Sequence, residues 1–181
     1  MSSLPDTARP WIAIQVRSKM ERTTAEHLRA RGYELFVPLG PPCPNARRRV
    51  LLPLFPGYVF CRFDATLSAR IVTTPGVIRL VGFGDGPARI SDEEIENVRR
   101  AVESGCPVHP ITKFPRGAKV WVADGPLRGV GGTVLRSENQ QYLVVEITLL
   151  QRAVAVQLDI TAISTQPIGE LAAAYSGEPS G

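Results

Sequence analysis

The sequence has little of the chemistry on which enzymes and metal proteins depend. It holds three cysteines and two histidines in 181 residues, and no two cysteines form a C-x-x-C pair. The wide spacing of Cys43, Cys61 and Cys106 argues against a zinc site or a disulfide framework, and we expect three reduced thiols. No Walker A, H-E-x-x-H or G-x-S-x-G pattern is present. We therefore predict a protein that is not an enzyme and uses no metal or cofactor.

Long apolar runs are also missing. No window approaches the roughly 18 consecutive apolar residues that a membrane helix requires. Residues 1–10 lack the basic segment and the apolar segment of a signal peptide. These absences predict a cytoplasmic protein with no membrane partner.

Positive charge is present, and it is concentrated in the first third of the chain. The formal net charge is +4, from 21 Lys+Arg and 17 Asp+Glu. Residues 1–63 carry ten basic and four acidic residues, whereas residues 113–181 carry six of each. A one-sided excess suits a polyanionic partner, because each neutralised phosphate releases counterions. Arg47, Arg48 and Arg49, in a proline-rich loop, are candidates for phosphate contact.

The first hundred residues alternate between strand and helix patterns. Ile12–Val16 reads as a strand, and the capping box Ser18-x-x-Glu21 predicts a helix that stops at Gly32. Two strands are predicted around the turn Phe55-Pro56-Gly57. A second capping box, Ser91-x-x-Glu94, predicts a helix that ends near Gly105. Between them, we expect a short helix at residues 65–72 and a strand at 77–83.

Beyond residue 105 the pattern changes to proline and then to short strands. Prolines in residues 106–116 predict a linker without regular pairing. Segments 118–123, 132–137, 142–148 and 153–158 read as strands, with a fifth in residues 160–163. Short strands in so small a domain predict a β-barrel. Residues 166–181 are expected to form a tail.

These features resemble those of the NusG family of transcription elongation factors. In the first domain, the markers are Trp11, the segment Arg17–Leu28, the run Leu54–Phe60 and the segment Thr74–Val77. In the second domain, the markers of a KOW module are Gly117, Val120, Val122, Gly125, Pro126, Gly129, Gly132, Thr133 and Val134.

The resemblance implies an α/β (α+β) N-terminal domain, with an antiparallel sheet flanked by helices, and a small all-β SH3-like KOW barrel. The implied limits are residues 9–105 for the first domain, 106–116 for the linker, 117–165 for the barrel and 166–181 for the tail. Specialised members of the RfaH branch can refold the second domain as a helical hairpin. The alternating Val, Ile and Thr here predict a barrel without such a switch.

The resemblance also implies partners and a mechanism. The first domain of such factors docks on the clamp helices of the RNA polymerase largest subunit, closes the clamp and increases processivity. The residues that match this docking function are Trp11, Phe55, Pro56, Tyr58 and Phe60. From the residues alone, an ordinary core is the favoured interpretation for any single one of these aromatics, and the alternative is an apolar depression at the end of the sheet that accepts a partner helix. The expected contacts with the non-template DNA strand are Arg17, Lys19, Arg22, His27 and Thr74, to which charge adds Arg47–Arg49.

The second domain of such factors binds either the termination factor Rho or a small-subunit ribosomal protein. The matching positions are Leu127, Val130, Leu149, Leu150 and Arg152. Leu127 replaces a common Phe, and Gln151 replaces a common Gly. With the basic excess and the Arg47–Arg49 loop, these departures favour a specialised paralogue. We also expect a monomer. The alternative is a KOW protein that binds RNA or the ribosome directly, although residues 113–181 carry no net charge to support it.

Overall fold

The structure, a computed structural model, describes residues 9–41, 50–64, 68–84, 86–112, 119–137, 140–158 and 165–167. The chain forms two compact units. The first comprises the chain up to Ile95 together with Ile147–Leu150, and the second comprises Glu96–Glu146 and the chain from Gln151 onward. The domain limits given above stay a prediction.

The described part of the first unit consists of short strands, two helices and the first turn of a third. In chain order its elements are β1 (Trp11–Val16), α1 (Glu21–Ala30), β2 (Leu35–Phe36), β3 (Leu39–Gly40), β4 (Leu52–Pro53), β5 (Tyr58–Arg62), α2 (Ser68–Val72), β6 (Val77–Leu80), β7 (Gly82–Phe83), β8 (Gly86–Pro87), β9 (Arg89–Ile90) and the start of α3 (Asp92–Glu103). Two hairpins, β3–β4 and β7–β8, stand apart from the main sheet.

The main sheet of this unit is antiparallel and has β1 at its centre. The strand order is β2-β5-β1-β6, and β9 also pairs with β1. Strand β1 pairs with β5 from Trp11 opposite Arg62 to Gln15 opposite Tyr58. The predicted mixed fold with an antiparallel sheet and helices is confirmed.

One face of this sheet packs on α1 and α2. Alternate residues of a strand point to opposite faces, and Ile12, Ile14 and Val16 share a face with Val59 and Cys61. The helical members of this core cluster are Ala25, Leu28 and Ile71. The cluster anchors both helices to the sheet, so α1 has a fixed position relative to β5.

The start of α1 differs from the prediction. Helix α1 begins at Glu21, with Met20 as a cap that makes no side-chain hydrogen bond. Ser18 does not cap the helix, because the chain makes an extra turn in which the Met20 N–H donates to the Arg17 carbonyl at 3.0 Å. The predicted stop is confirmed, since Gly32 follows the helix at φ +89°.

The second capping box forms as predicted. The Glu94 N–H donates to Ser91 Oγ at 3.1 Å, and the Ser91 N–H donates to Glu94 Oε2 at 3.4 Å. Helix α3 then runs to Glu103, and Gly105 follows it at φ +75°.

Beyond α3, the described part of the second unit consists of strands and turns. Its strands are β10 (Val108–Ile111), β11 (Lys119–Val122), β12 (Gly131–Ser137), β13 (Gln140–Ile147), β14 (Arg152–Leu158) and β15 (Thr165–Pro167). The 3₁₀ turn Thr148–Leu150, between β13 and β14, is counted with the first unit. They form one sheet in the order β10-β14-β13-β12-β11-β15. The predicted all-β character is confirmed, and strand residues such as Leu143, Val145 and Val154 are buried.

Two details of the sequence prediction were wrong here. Residues 108–111, expected in a linker without pairing, form β10, which pairs with β14. Strand β10 lies at the edge of the sheet, where Pro110 is tolerated although it has no N–H to donate. Residues 166 and 167, assigned to the tail, belong to β15, which pairs with β11. The fifth strand expected in residues 160–163 lies outside the described residues.

No helix in the described part of the chain is long and apolar enough to cross a membrane.

Candidate functional site

The centre of the candidate site is a tight turn between β4 and β5. The Tyr58 N–H donates to the Phe55 carbonyl at 3.1 Å, and Gly57 has φ +83°. Proline at the second position and glycine at the third are the residues that a type II turn requires. Pro56 is exposed and Tyr58 is half-buried. The turn therefore presents these two side chains on a fixed backbone.

The phenylalanines of the predicted docking set lie beneath this turn. Phe55 and Phe60 are fully buried and meet edge to face, with ring centroids 5.4 Å apart and an interplanar angle of 81°. Phe36 adds a tilted contact to Phe60 at 6.3 Å. Edge-to-face pairs of this kind stabilise a fold by about 0.5–1.5 kcal/mol beyond the area they bury. These two phenylalanines support the turn from within and do not form its accessible surface.

Trp11 is also an internal residue. It is buried, and the Arg62 guanidinium carbon lies 4.7 Å from its ring centroid. Arg62 in turn forms an ion pair with Asp92 at 2.5 Å and donates to the Arg9 carbonyl at 2.9 Å. This arrangement ties the start of α3 to the sheet and gives Trp11 a structural role.

Glu21 is a residue of this site that sequence reasoning misassigned. Its side chain does not complete a capping box but extends to the turn, where Oε1 accepts the Gly57 N–H at 2.8 Å. The Gly57 carbonyl is held as well, because it accepts the Val16 N–H at 2.9 Å. The residue is only 3% exposed, so the carboxylate is a buried acceptor for a turn N–H. The sequence offers one indication of this contact. A type II turn leaves the N–H of its third residue, here Gly57, without a partner inside the turn, so an acceptor from elsewhere is needed.

Basic side chains cluster on the loop between β1 and α1. Arg17 and Lys19 are exposed, and Lys19 has φ +67°, a left-handed conformation that costs a non-glycine residue roughly 1 kcal/mol. The Arg17 N–H donates to the Gly76 carbonyl at 2.8 Å. The structure thus brings this loop beside the Thr74–Val77 loop, and both were predicted to approach nucleic acid.

Thr74 itself is buried and engaged. Its hydroxyl donates to the Arg70 carbonyl at 2.8 Å and accepts from Arg31 Nη1 at 2.9 Å. Arg31 Nη1 also donates to the Arg70 carbonyl at 2.6 Å. At 3% exposure, Thr74 shapes the loop and offers little surface for DNA.

The remaining predicted nucleic-acid residues are dispersed. Arg22 and His27 are both exposed on α1, but their spacing of five residues places them on different sides of the helix. Arg22 Nη2 donates to the Leu51 carbonyl at 3.3 Å. Arg47, Arg48 and Arg49 lie outside the described residues.

The predicted partner-binding residues of the KOW module divide into two groups. Leu127 and Val130 are fully buried in a turn closed by the Val130 N–H, which donates to the Leu127 carbonyl at 2.9 Å. Leu149, Leu150 and Arg152 are half-exposed. Gln151 has φ +50°, which accounts for glycine as the common residue at that position.

In the described residues, the side chains that can ligate metals are dispersed, and the Cys61 thiol is buried. No group of three or more His, Cys, Asp or Glu in this part of the chain is placed to hold a metal ion. Burial raises the pKa of the Cys61 thiol to about 12, which keeps it protonated and unreactive.

Comparison with known proteins agrees with this fold. The family described as "Transcription termination factor nusG" matches residues 9–99, half of the chain. The chain therefore belongs to the NusG family.

Similar proteins extend the match beyond the first unit. The transcription termination/antitermination protein NusG of Yersinia pestis is 29% identical over 171 residues, covering 84% of this chain and 94% of that protein. The protein of the same name from Buchnera aphidicola is 31% identical over 122 residues, covering 65% of this chain and 67% of that protein. A solved structure, "Domain interaction in Thermotoga maritima NusG", superposes with a TM-score of 0.54 at 21% identity. It covers 90% of this chain and 99% of that one, and it supports the fold.

Proposed function

We propose that this chain is a transcription elongation and antitermination factor that docks on the clamp helices of the RNA polymerase largest subunit. The observation that carries the proposal is the type II turn at Phe55–Tyr58, which exposes Pro56 and part of Tyr58. Membership of the NusG family supports a role in transcription. The proposal places the protein in the cytoplasm, where bacterial RNA polymerase works.

The geometry suits docking because the turn is rigid before it meets a partner. Three hydrogen bonds hold its backbone, from Tyr58 to Phe55, from Gly57 to Glu21 and from Val16 to Gly57. A preorganised surface loses little conformational entropy on binding. Tyrosine on such a base is typical of residues that dominate interface energetics.

The mechanism that follows is binding, without bond chemistry. A factor that binds the closed clamp more tightly than the open clamp shifts the enzyme toward the closed, elongating state. A difference of 1.4 kcal/mol between the two affinities changes that equilibrium tenfold. Increased processivity and reduced pausing are the consequences we expect.

A second contact, with the non-template DNA strand, is part of the proposal. Arg17 and Lys19 supply exposed positive charge on one loop, and Arg22 and His27 are exposed on the helix that follows. Contacts of this type depend on counterion release and carry no base specificity by themselves.

The KOW module is proposed to recruit Rho or a small-subunit ribosomal protein through the half-exposed Leu149, Leu150 and Arg152. Leu127 and Val130 are buried, and no aromatic side chain stands at position 127 to enlarge that surface. The basic first third of the sequence and this reduced surface favour a specialised paralogue over a general factor, and we propose that it acts as a monomer.

The test is capture of core RNA polymerase by the tagged full-length protein. Tyr58→Ala is the informative variant, because its side chain is accessible. Phe55→Ala would instead open a cavity and cost about 3–5 kcal/mol of stability. The control is Val72→Ala, which removes a 53% exposed side chain from α2 on the other face of the sheet.

We expect wild type and Val72→Ala to capture polymerase equally, and Tyr58→Ala to lose at least tenfold in affinity. Thermal unfolding of all three proteins must show the same midpoint within a few degrees. Failure of the wild-type protein to bind polymerase would overturn the proposed function and bring direct RNA or ribosome binding forward.

A further inference from the structure

A row of three side chains crosses the sheet beside the docking turn. Tyr58 on β5 lies opposite Gln15 on β1, and Gln15 lies opposite Arg79 on β6. Residues that are paired across antiparallel strands point to the same face. This face is the one opposite α1, because Ile14 and Val16, the neighbours of Gln15, belong to the α1 core cluster.

Arg79 is held in position within this row. Its Nε donates to Gln15 Oε1 at 2.8 Å, and the side chain is exposed. Gln15 is half-buried between Tyr58 and Arg79, and its side chain orients the Arg79 guanidinium. Among the described residues, no carboxylate lies within ion-pair distance of Arg79. The Nη1 and Nη2 donors of a guanidinium held through Nε suit a planar, bidentate acceptor such as a carboxylate.

The backbone next to Arg79 is shaped by a bulge. Val16 pairs with Val77 and Gln15 with Arg79, so Ile78 is an extra residue without a partner on β1. Its side chain is 55% exposed, although isoleucine is usually buried. The bulge therefore adds an apolar side chain to the surface next to Arg79.

From this arrangement we infer that the polymerase-binding surface extends from the turn across β1 to β6, and that Arg79 binds a carboxylate on the polymerase segment that contacts Tyr58. The inference rests on the proposed function. It predicts that the partner has an apolar surface and an acidic side chain. Because β5 and β6 are two strand spacings apart, the acidic side chain should lie roughly 10 Å from the Tyr58 contact.

A protein partner fits this surface better than DNA. The surface combines Tyr58, the exposed aliphatic side chain of Ile78 and one oriented arginine, and tyrosine and arginine are enriched at protein interfaces and at their energetic centres. The exposed charges of Arg17 and Lys19 lie on a separate loop. That loop can contact the phosphate backbone of DNA without any residue of β6.

The test measures affinity for core RNA polymerase without nucleic acid, using full-length protein and three arginine variants. Arg79→Ala removes both the planar guanidinium donors and the charge. Arg79→Lys keeps the charge without the planar donors, and Arg79→Glu reverses the charge. The matched control is Arg89→Ala, another exposed arginine of the same sheet, whose partner Ile12 faces α1. Arg79 is exposed, so each variant should unfold at the wild-type temperature.

We expect Arg79→Ala to weaken binding about tenfold to a hundredfold, the range for a charge-assisted hydrogen bond. Arg79→Glu should weaken it further, Arg79→Lys should recover part of the loss, and Arg89→Ala should match wild type. If the wild type binds polymerase and Arg79→Ala binds it equally well, this inference is wrong and the proposed function still stands. The measurement is then repeated with single-stranded DNA added, and a loss seen only in that repeat also overturns the inference, since Arg79 would then contact DNA. No binding by the wild type refutes both proposals.

Discussion

At the scale of single residues, Glu21 stabilises the turn of the candidate site, a role that no sequence motif indicates. It stands at the first position of α1, where the helix dipole favours negative charge, and its Oε1 satisfies the Gly57 N–H. One carboxylate therefore links the loop that bears Arg17 and Lys19 to the turn that bears Pro56. Without Glu21, a turn N–H at the base of the docking surface would lose its partner.

We predict that Glu21→Ala destabilises the protein by about 1–3 kcal/mol, because it leaves a buried N–H without an acceptor. Glu21→Gln should cost less, since its amide oxygen can still accept that hydrogen bond. Urea unfolding followed by tryptophan fluorescence measures both values. Equal stability of wild type and Glu21→Ala would show that the 2.8 Å contact contributes nothing to the fold.

The residue roles that the sequence predicted well are those set by neighbours along the chain. Pro56 and Gly57 specify a type II turn by themselves, and the structure contains that turn. The burial of a side chain cannot be predicted in this way, because it depends on which distant residues pack against it. The pattern could not tell that Phe55 and Phe60 stack inside while Pro56 is exposed, nor that Thr74 is enclosed by Arg31.

At the scale of elements, the two capping-box sequences make a natural comparison. Both have the form Ser-x-x-Glu, yet only Ser91 and Glu94 exchange the expected hydrogen bonds. At the first site the left-handed Lys19 shifts the start of the helix to Glu21, and the glutamate turns to Gly57. A capping box is a local signal that a stronger non-local acceptor contact can override.

Substitution of each serine separates the two cases. We predict that Ser91→Ala destabilises the protein by about 1 kcal/mol, the usual cost of losing a helix cap, and that Ser18→Ala has an effect near zero. Both serines are exposed, so neither change opens a cavity. Parallel urea titrations give the difference. A larger loss at Ser18 would mean that α1 is capped from outside its first turn.

The elements that the sequence missed are those made by distant partners. Strand β10 contains His109-Pro110 and carries no strand signal of its own, but β14, more than forty residues later, supplies the hydrogen bonds. Strand β15 likewise exists through its pairing with β11. By contrast, β5 and β14 carry β-branched and apolar runs that predict strands without knowledge of a partner.

At the scale of the whole molecule, the proposed polymerase-binding row and the exposed charges of the β1–α1 loop occupy different parts of the first unit. The oriented row of Tyr58, Gln15 and Arg79 lies on one face of the sheet, whereas the exposed Arg17 and Lys19 lie on the loop before α1. Under the proposed function, polymerase and nucleic acid would therefore contact different surfaces of the first unit. This separation also predicts that the two affinities respond differently to salt, because phosphate contacts release counterions.

The salt dependence of DNA binding tests the nucleic-acid part of this division. For single strands, the logarithm of affinity falls by about 0.7 per phosphate contact for each tenfold increase in salt. Arg17→Ala combined with Lys19→Gly removes two exposed charges, and glycine accepts the positive φ at position 19. The slope should therefore become shallower by about 1.4, measured by fluorescence anisotropy with a labelled single strand. The control, Arg128→Ala with Arg136→Ala, removes two exposed arginines of the second unit and should leave the slope unchanged. If both double variants shift the slope equally, binding follows net charge, and the loop before α1 is not a specific contact.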